Sequence, residues 1–176
     1  LNGSVKSRDR VLAINELHRV WNAAGAVGGT GGALVKVLIL TGQRRFETSV
    51  MCREDLSDLI GDQPLWTIPS NIPKNRRPHN VPLSPEVVKV LCAQPVINNG
   101  AYVFTTTGSK PFSGFSKLKR KLDAFIANDG DEPIAPWTFH DLRRSMITHM
   151  NERGIAPPHV IEAIVNHVSG FKGGVA

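Results

Sequence analysis

Five basic side chains stand at spacings that could serve one anion. His140 and Arg143 lie three residues apart in a segment of helical pattern, so they share a face. His167 follows 24 residues after Arg143, at the end of the next helical segment. Arg44 comes just after a Thr41-Gly42 turn that closes an apolar stretch, and Lys74 sits in the polar run Pro73-Lys74-Asn75-Arg76-Arg77-Pro78-His79. An arginine on the core-facing side of a helix needs a strong anionic partner, because burying an unpaired guanidinium is prohibitive. Arginine forks bind phosphate oxygens in pairs, and His or Lys can move a proton beside them. Taken singly, each residue has a plainer use. His140 could cap or pack, Arg44 could pair with Glu47, and Lys74 could be a solvated turn lysine.

The elements that must position these residues are short helices separated by Gly- and Pro-rich joints. Asn15 to Ala24 has the three-and-four spacing of an amphipathic helix, through Leu17, Val20, Trp21 and Ala24. Gly25 to Gly32 reads as a flexible loop; no GK[ST] follows that would make it a phosphate cradle. Ala33 to Leu40 reads as a buried helix ending at Thr41-Gly42, and Arg44 to Arg53 as another short one. Leu65–Ile68 and Asn80–Leu83 form a hairpin pattern around residues 73–79, with prolines marking edge positions. Ser84 caps a helix from Pro85 to Gln94. Tyr102-Val103-Phe104 is a short apolar run. Ser113 or Ser116 opens a helix to about Asn128 that buries Leu118, Leu122, Phe125 and Ile126. That helix carries the basic cluster Lys117, Lys119, Arg120 and Lys121, which suits a solvated face as well as DNA contact. A loop from Asp129 to Pro136 leads to a helix from His140 to Arg153, stopped by Gly154. Pro157-Pro158 starts a last helix ending near His167. The fold class is mainly α with a small antiparallel sheet (α+β).

The chain has 176 residues, 41% hydrophobic and 20% charged, enough for a compact core. No apolar run approaches the ~18 residues of a membrane helix, and the polar start, LNGSVKSRDR, lacks the apolar stretch of a secretory signal. Cys52 and Cys92 show neither close pairing nor metal-ligand spacing. These features read against a secreted, disulfide-built or membrane protein. The net charge of +6 and a pI near 9.7 favour a polyanionic partner, nucleic acid first, because neutralising phosphates releases counterions.

Read in order, the motifs resemble the catalytic domain of tyrosine recombinases, the phage integrase family. The matching text is Thr41-Gly42-Gln43-Arg44-Arg45-Phe46-Glu47 against the family's TGxRxxE box, then Lys74 ahead of Val81-Pro82-Leu83-Ser84. His140-Asp141-Leu142-Arg143-Arg144 matches the HxLR box, and Asn166-His167 stands where the family usually has Gly-His. The wording is most like integrases of prophages and genomic islands. The resemblance implies DNA strand exchange through a 3′-phosphotyrosyl link, with no cofactor and no metal. Arg44 and Arg143 would clamp the scissile phosphate, with His167 adding a hydrogen bond. His140 would serve as acid and base toward the nucleophile, Lys74 would protonate the departing 5′-oxygen, and Glu47 would orient the arginines. Arg76, Arg77, Lys117, Lys119, Arg120 and Lys121 would contact DNA. Double-stranded attachment sites and other protomers in a tetrameric synapse are the implied partners, and the fragment alone is expected to be a monomer.

The nucleophilic tyrosine of the family lies ten to twelve residues after the last histidine, and the single tyrosine here, Tyr102, stands far from that place. Tyr102 therefore reads as structural, and the chain as a fragment that binds DNA without cleaving it. Residues 1–14 read as a linker remnant from an N-terminal DNA-binding domain, 15–170 as the catalytic domain, truncated before the tyrosine, and 171–176 as an unstructured end. The expected location is the bacterial cytoplasm, at the nucleoid. The alternatives are a non-catalytic DNA-binding relic, a type IB topoisomerase-like enzyme, and a metal-dependent phosphohydrolase suggested by His140-Asp141. For the last, further His and Asp ligands cannot be assembled.

Overall fold

The computed structural model describes residues 10–73 and 75–166. At its centre is α2 (Gly29–Thr41), whose Leu34, Val35, Val37 and Leu38 are all buried. A helix apolar on most of its sides must be covered on most of its sides. The helices α1 (Ile14–Val27), α3 (Arg45–Ser49), α4 (Pro85–Cys92) and α6 (Phe139–Glu152) do so, and α5 (Phe115–Ala127) packs against α1. α7 (Pro158–Ile164) lies against α6. The expectation of a mainly α fold with a small antiparallel sheet holds. Among the described residues no helix is long and apolar enough to cross a membrane.

The sheet has the order β1 (Leu56–Ser57), β2 (Leu65–Ile68), β3 (His79–Pro82), all antiparallel. Trp66 and Ile68 of β2 turn inward beside Val81, the period-two pattern of a half-buried strand. Pro82 is tolerated because β3 is an edge strand. The segment between β2 and β3 is the one that carries Lys74. At α4, the Ser84 hydroxyl accepts the Val87 N–H and Pro85 occupies the first turn.

Several sequence expectations need correction. Gly25 to Gly32 is not a loop: α1 runs through Val27, Gly28 makes the break, and α2 starts at Gly29. The physical reason is close helix packing, since a Cβ on Gly32 would stand 2.1 Å from the Ala24 carbonyl oxygen. The helix read from Arg44 to Arg53 stops at Ser49, and Arg53–Asp55 form a separate 3-10 turn before β1. The two-residue β1 carries too little pattern to be read from sequence. Phe125 is 45% exposed rather than core, because Leu118, Leu122 and Ile126 already fill the inward face of α5. Tyr102 makes an isolated antiparallel bridge with Cys52 and is half-buried.

Candidate active site

Arg44 owes its position to the end of α2. Gly42 takes a left-handed φ of 62° and returns its N–H to the Leu38 carbonyl, so the chain turns out of the helix there. Arg44 then caps the short α3. The buried Glu47 accepts the Arg44 backbone N–H at 3.2 Å through Oε2 and its Nη1 at 2.8 Å through Oε1. One carboxylate thus holds both the turn and the guanidinium. The Arg44–Glu47 pair raised by the sequence is present, yet the arginine side chain remains 32% exposed.

Arg143 reaches the same place from α6. It is buried, and its guanidinium donates to the Gly42 carbonyl at 2.9 Å and the Val165 carbonyl at 2.5 Å. Burial first, then the charge of Arg44, pushes its pKa down to about 10. It therefore stays charged at neutral pH. A guanidinium has five N–H donors, so two carbonyls leave donors to spare. Arg44, Arg143 and His140 line one open cleft of about 810 Å³, together with Gln43, Arg45 and Lys119. Two guanidiniums against one buried carboxylate leave it positive. Asp141 is committed elsewhere: its Oδ2 caps α6 through the N–H and hydroxyl of Thr138, and its Oδ1 pairs with Arg144. Among the described residues no three His, Cys, Asp or Glu side chains cluster as metal ligands.

The end of α7 is gripped from three sides. Terminal helix carbonyls have no intrahelical partner, and here side chains supply it. The Ile164 carbonyl accepts from Gln43 Nε2 at 2.8 Å and from His79 Nε2 at 2.9 Å. Arg143 takes the Val165 carbonyl, and Arg44 Nη2 reaches the Asn166 carbonyl at 3.4 Å. Lys74 and His167 themselves lie outside the described residues. Their chain neighbours Asn75 and Asn166 are joined side chain to side chain at 2.8 Å.

The residues expected to contact DNA are divided. Arg76 and Arg77 are exposed on the hairpin loop. Lys119 lines the arginine cleft, held by Asp123 and stacked 4.2 Å over the Trp137 ring. Lys117 and Lys121 line a different cleft with Lys110, and Arg120 is exposed. Sequence reasoning missed Gln43 as a buried brace, and Arg45, which lies over Phe115 at 4.7 Å within the cleft. Asn166 carried one usable signal, an asparagine at a helix end where a left-handed residue is favoured. It has φ 51°.

The two histidines of this region should make stability depend on pH. Only the carbonyl can accept in the His79–Ile164 bond, so Nε2 carries the proton. Burial first, with Arg143 and Arg44 acting in the same direction, lowers His79 below its ordinary 6.5 despite that bond and Glu47. His140 is lowered too, by desolvation and then by Arg144 and Arg143. The folded state therefore binds fewer protons than the unfolded state just below pH 6.5. Stability is complete above that value and falls as the solution is acidified through it. Thermal melts from pH 7.5 to 5 should show a falling midpoint, and His79→Gln should flatten the slope. A midpoint that rises on acidification would contradict this reading.

The comparisons with known proteins agree with the fold and the motifs. The model of the phage integrase family matches residues 11–170. The prophage integrase IntZ of Escherichia coli K12 is 34% identical over 167 residues, covering 92% of this chain and 39% of that protein. The chain thus spans about two-fifths of the length of this curated relative. Among solved structures, the XerH recombinase bound to its difH substrate superposes with a TM-score of 0.73 at 16% identity, over 96% of this chain and 50% of that one. XerA recombinase gives 0.70 at 22% identity, over 96% and 58%. The Tn1549 transposon integrase, in complex with a circular intermediate DNA, gives 0.75 at 14% identity, over 96% and 61%. Matched over most of its residues, and carrying the two arginine boxes in one cleft, the chain belongs to the phage integrase family.

Proposed function

We propose that this chain is the catalytic domain of a site-specific recombinase, acting at double-stranded attachment sites of a prophage or genomic island. The observation that carries the reading is the positive cleft in which Arg44 and Arg143, each braced by neighbours, keep donors available for one phosphate. The reaction is a transesterification. A tyrosine oxygen attacks phosphorus, the bond to the 5′-oxygen breaks, and a 3′-phosphotyrosyl link forms. The bond energy is conserved, so rejoining needs no nucleotide and no metal. Arg44 and Arg143 stabilise the charge that grows on the non-bridging oxygens, and His167 adds a hydrogen bond there. His140 takes the tyrosine proton, and Lys74 gives one to the 5′-oxygen. Glu47 orients Arg44.

Tyr102, bridged to Cys52, does not serve as the nucleophile in this proposal. The 176 residues alone bind DNA as a monomer without cleaving it, and recombination takes place in a tetrameric synapse of complete protomers at the bacterial nucleoid. The exposed Arg76, Arg77 and Arg120, together with Lys117, Lys119 and Lys121, track the duplex backbone. Binding is then electrostatic and salt-sensitive. Fluorescence anisotropy with duplex DNA should show log affinity falling with log salt, with a slope of ~0.9 for each phosphate neutralised. Affinity unchanged between low and physiological salt would contradict the proposal.

A further inference from the structure

The amide pair Asn75–Asn166 joins two segments 91 residues apart in sequence. Each partner adjoins one member of the proposed catalytic set: Asn75 follows Lys74, and Asn166 precedes His167. The orientation of the Asn75 amide is fixed. Its Oδ1 accepts the Arg77 backbone N–H at 3.3 Å, which only an oxygen can do, so Nδ2 is the end that donates to Asn166 Oδ1 at 2.8 Å. The loop around it closes through the Arg76 N–H to the Pro73 carbonyl at 3.0 Å. Asn166 is equally committed, since its carbonyl accepts from Arg44 Nη2. It also holds a left-handed φ of 51°, where glycine is at ease and asparagine is among the few tolerated alternatives. Glycine at this position would relieve that backbone and make no side-chain bond. The asparagine thus accepts a strained conformation and gains a cross-link.

Resting on the reading of Lys74 as the general acid, we infer that Asn75 and Asn166 are positioning residues for proton transfer. Their bond ties the Lys74-bearing loop to the end of α7 and, through Arg44, to the phosphate clamp. Asn75 is the next residue after Lys74 in the chain, so the bond acts on the segment that carries the lysine. This role is separate from the arginine contacts. Loss of the bond should slow departure of the 5′-oxygen and leave the clamp intact.

The test uses the recombinase in a form that includes the nucleophilic tyrosine, in single-turnover cleavage. Two substrates are compared, one ordinary and one with sulfur at the bridging 5′ position, whose thiolate leaves without a proton. Asn166→Gly keeps the backbone conformation and deletes the bond. It should slow cleavage of the ordinary substrate by up to about tenfold, the scale of one net hydrogen bond, and leave the sulfur substrate unaffected. Asn75→Ala should do the same, and the double variant should be no slower than the slower single one. Equal slowing of both substrates, or slowing of neither, overturns the inference. Lys74→Ala is run alongside. If sulfur fails to rescue it, the acid role of Lys74 fails and the latch with it. If sulfur rescues Lys74→Ala while Asn166→Gly shows no substrate preference, the latch alone fails.

Discussion

Arg143→Ala is expected to cost both fold and chemistry. It removes the donors to the Gly42 and Val165 carbonyls, both in buried surroundings, at about 1–3 kcal/mol for each acceptor left unsatisfied. It also loosens the end of α7 from the turn that follows α2. Loss of a preorganised donor to the transition state typically costs ~10²–10³ in rate, and a charged fork should reach the upper part of that range. Arg44→Ala should cost both as well: it leaves the buried Glu47 carboxylate without its guanidinium, which lowers the thermal midpoint, and cleavage should fall as far. Arg143→Lys keeps the charge and loses the planar fork, and should also be strongly impaired. Melting curves and single-turnover rates on the same preparations check all three. Wild-type cleavage by Arg44→Ala would remove it from the clamp.

The second large effect concerns Lys74. In a form of the chain that carries the tyrosine, Lys74→Ala should slow cleavage by ~10²–10⁴, the usual scale of general acid catalysis. A 5′-alkoxide leaves poorly without a proton, whereas a 5′-thiolate does not need one. Sulfur at the bridging position should therefore rescue Lys74→Ala but neither Arg44→Ala nor Arg143→Ala, whose clamp on the non-bridging oxygens is still missing. Rescue of none of the three would pass the acid role to another hairpin residue, Arg76 or His79. Of these, His79 is already engaged with the Ile164 carbonyl. Equal rescue of all three would defeat the clamp assignment.

What the sequence made legible follows from how local each signal is. Ser84-Pro85 announces α4 because capping is settled within four residues, and Gly42 announces the end of α2 because the left-handed turn needs it. The spacing of His140 and Arg143 and the Thr41-Gly42-Gln43-Arg44 turn carry the arginine pair into one cleft. The glycines at 25–32 misled, because low helix propensity is a weak prior against tertiary packing. Ala24 and Gly32 meet backbone to side, and a Cβ on Gly31 would stand 3.1 Å from Leu118. Those glycines are helical because the helices cross closely, a fact that only the assembled fold contains. The braces on α7 were hidden for a similar reason. Gln43, His79 and Asn75 act on atoms over 80 residues away, two of them on a carbonyl that every residue has.

If one cleft, built by Arg44 and Arg143, holds a DNA phosphate for attack by tyrosine, the covalent adduct can be trapped. A form of the chain that carries the nucleophilic tyrosine would be mixed with a nicked duplex whose short downstream fragment, bearing the freed 5′-hydroxyl, diffuses away after cleavage, in the presence of a metal chelator. The expected product is a protein–DNA adduct linked at the 3′ end of the cut, formed without metal and lost in Arg44→Ala. An adduct at the 5′ end, one that requires metal, or one formed undiminished by Arg44→Ala would contradict it.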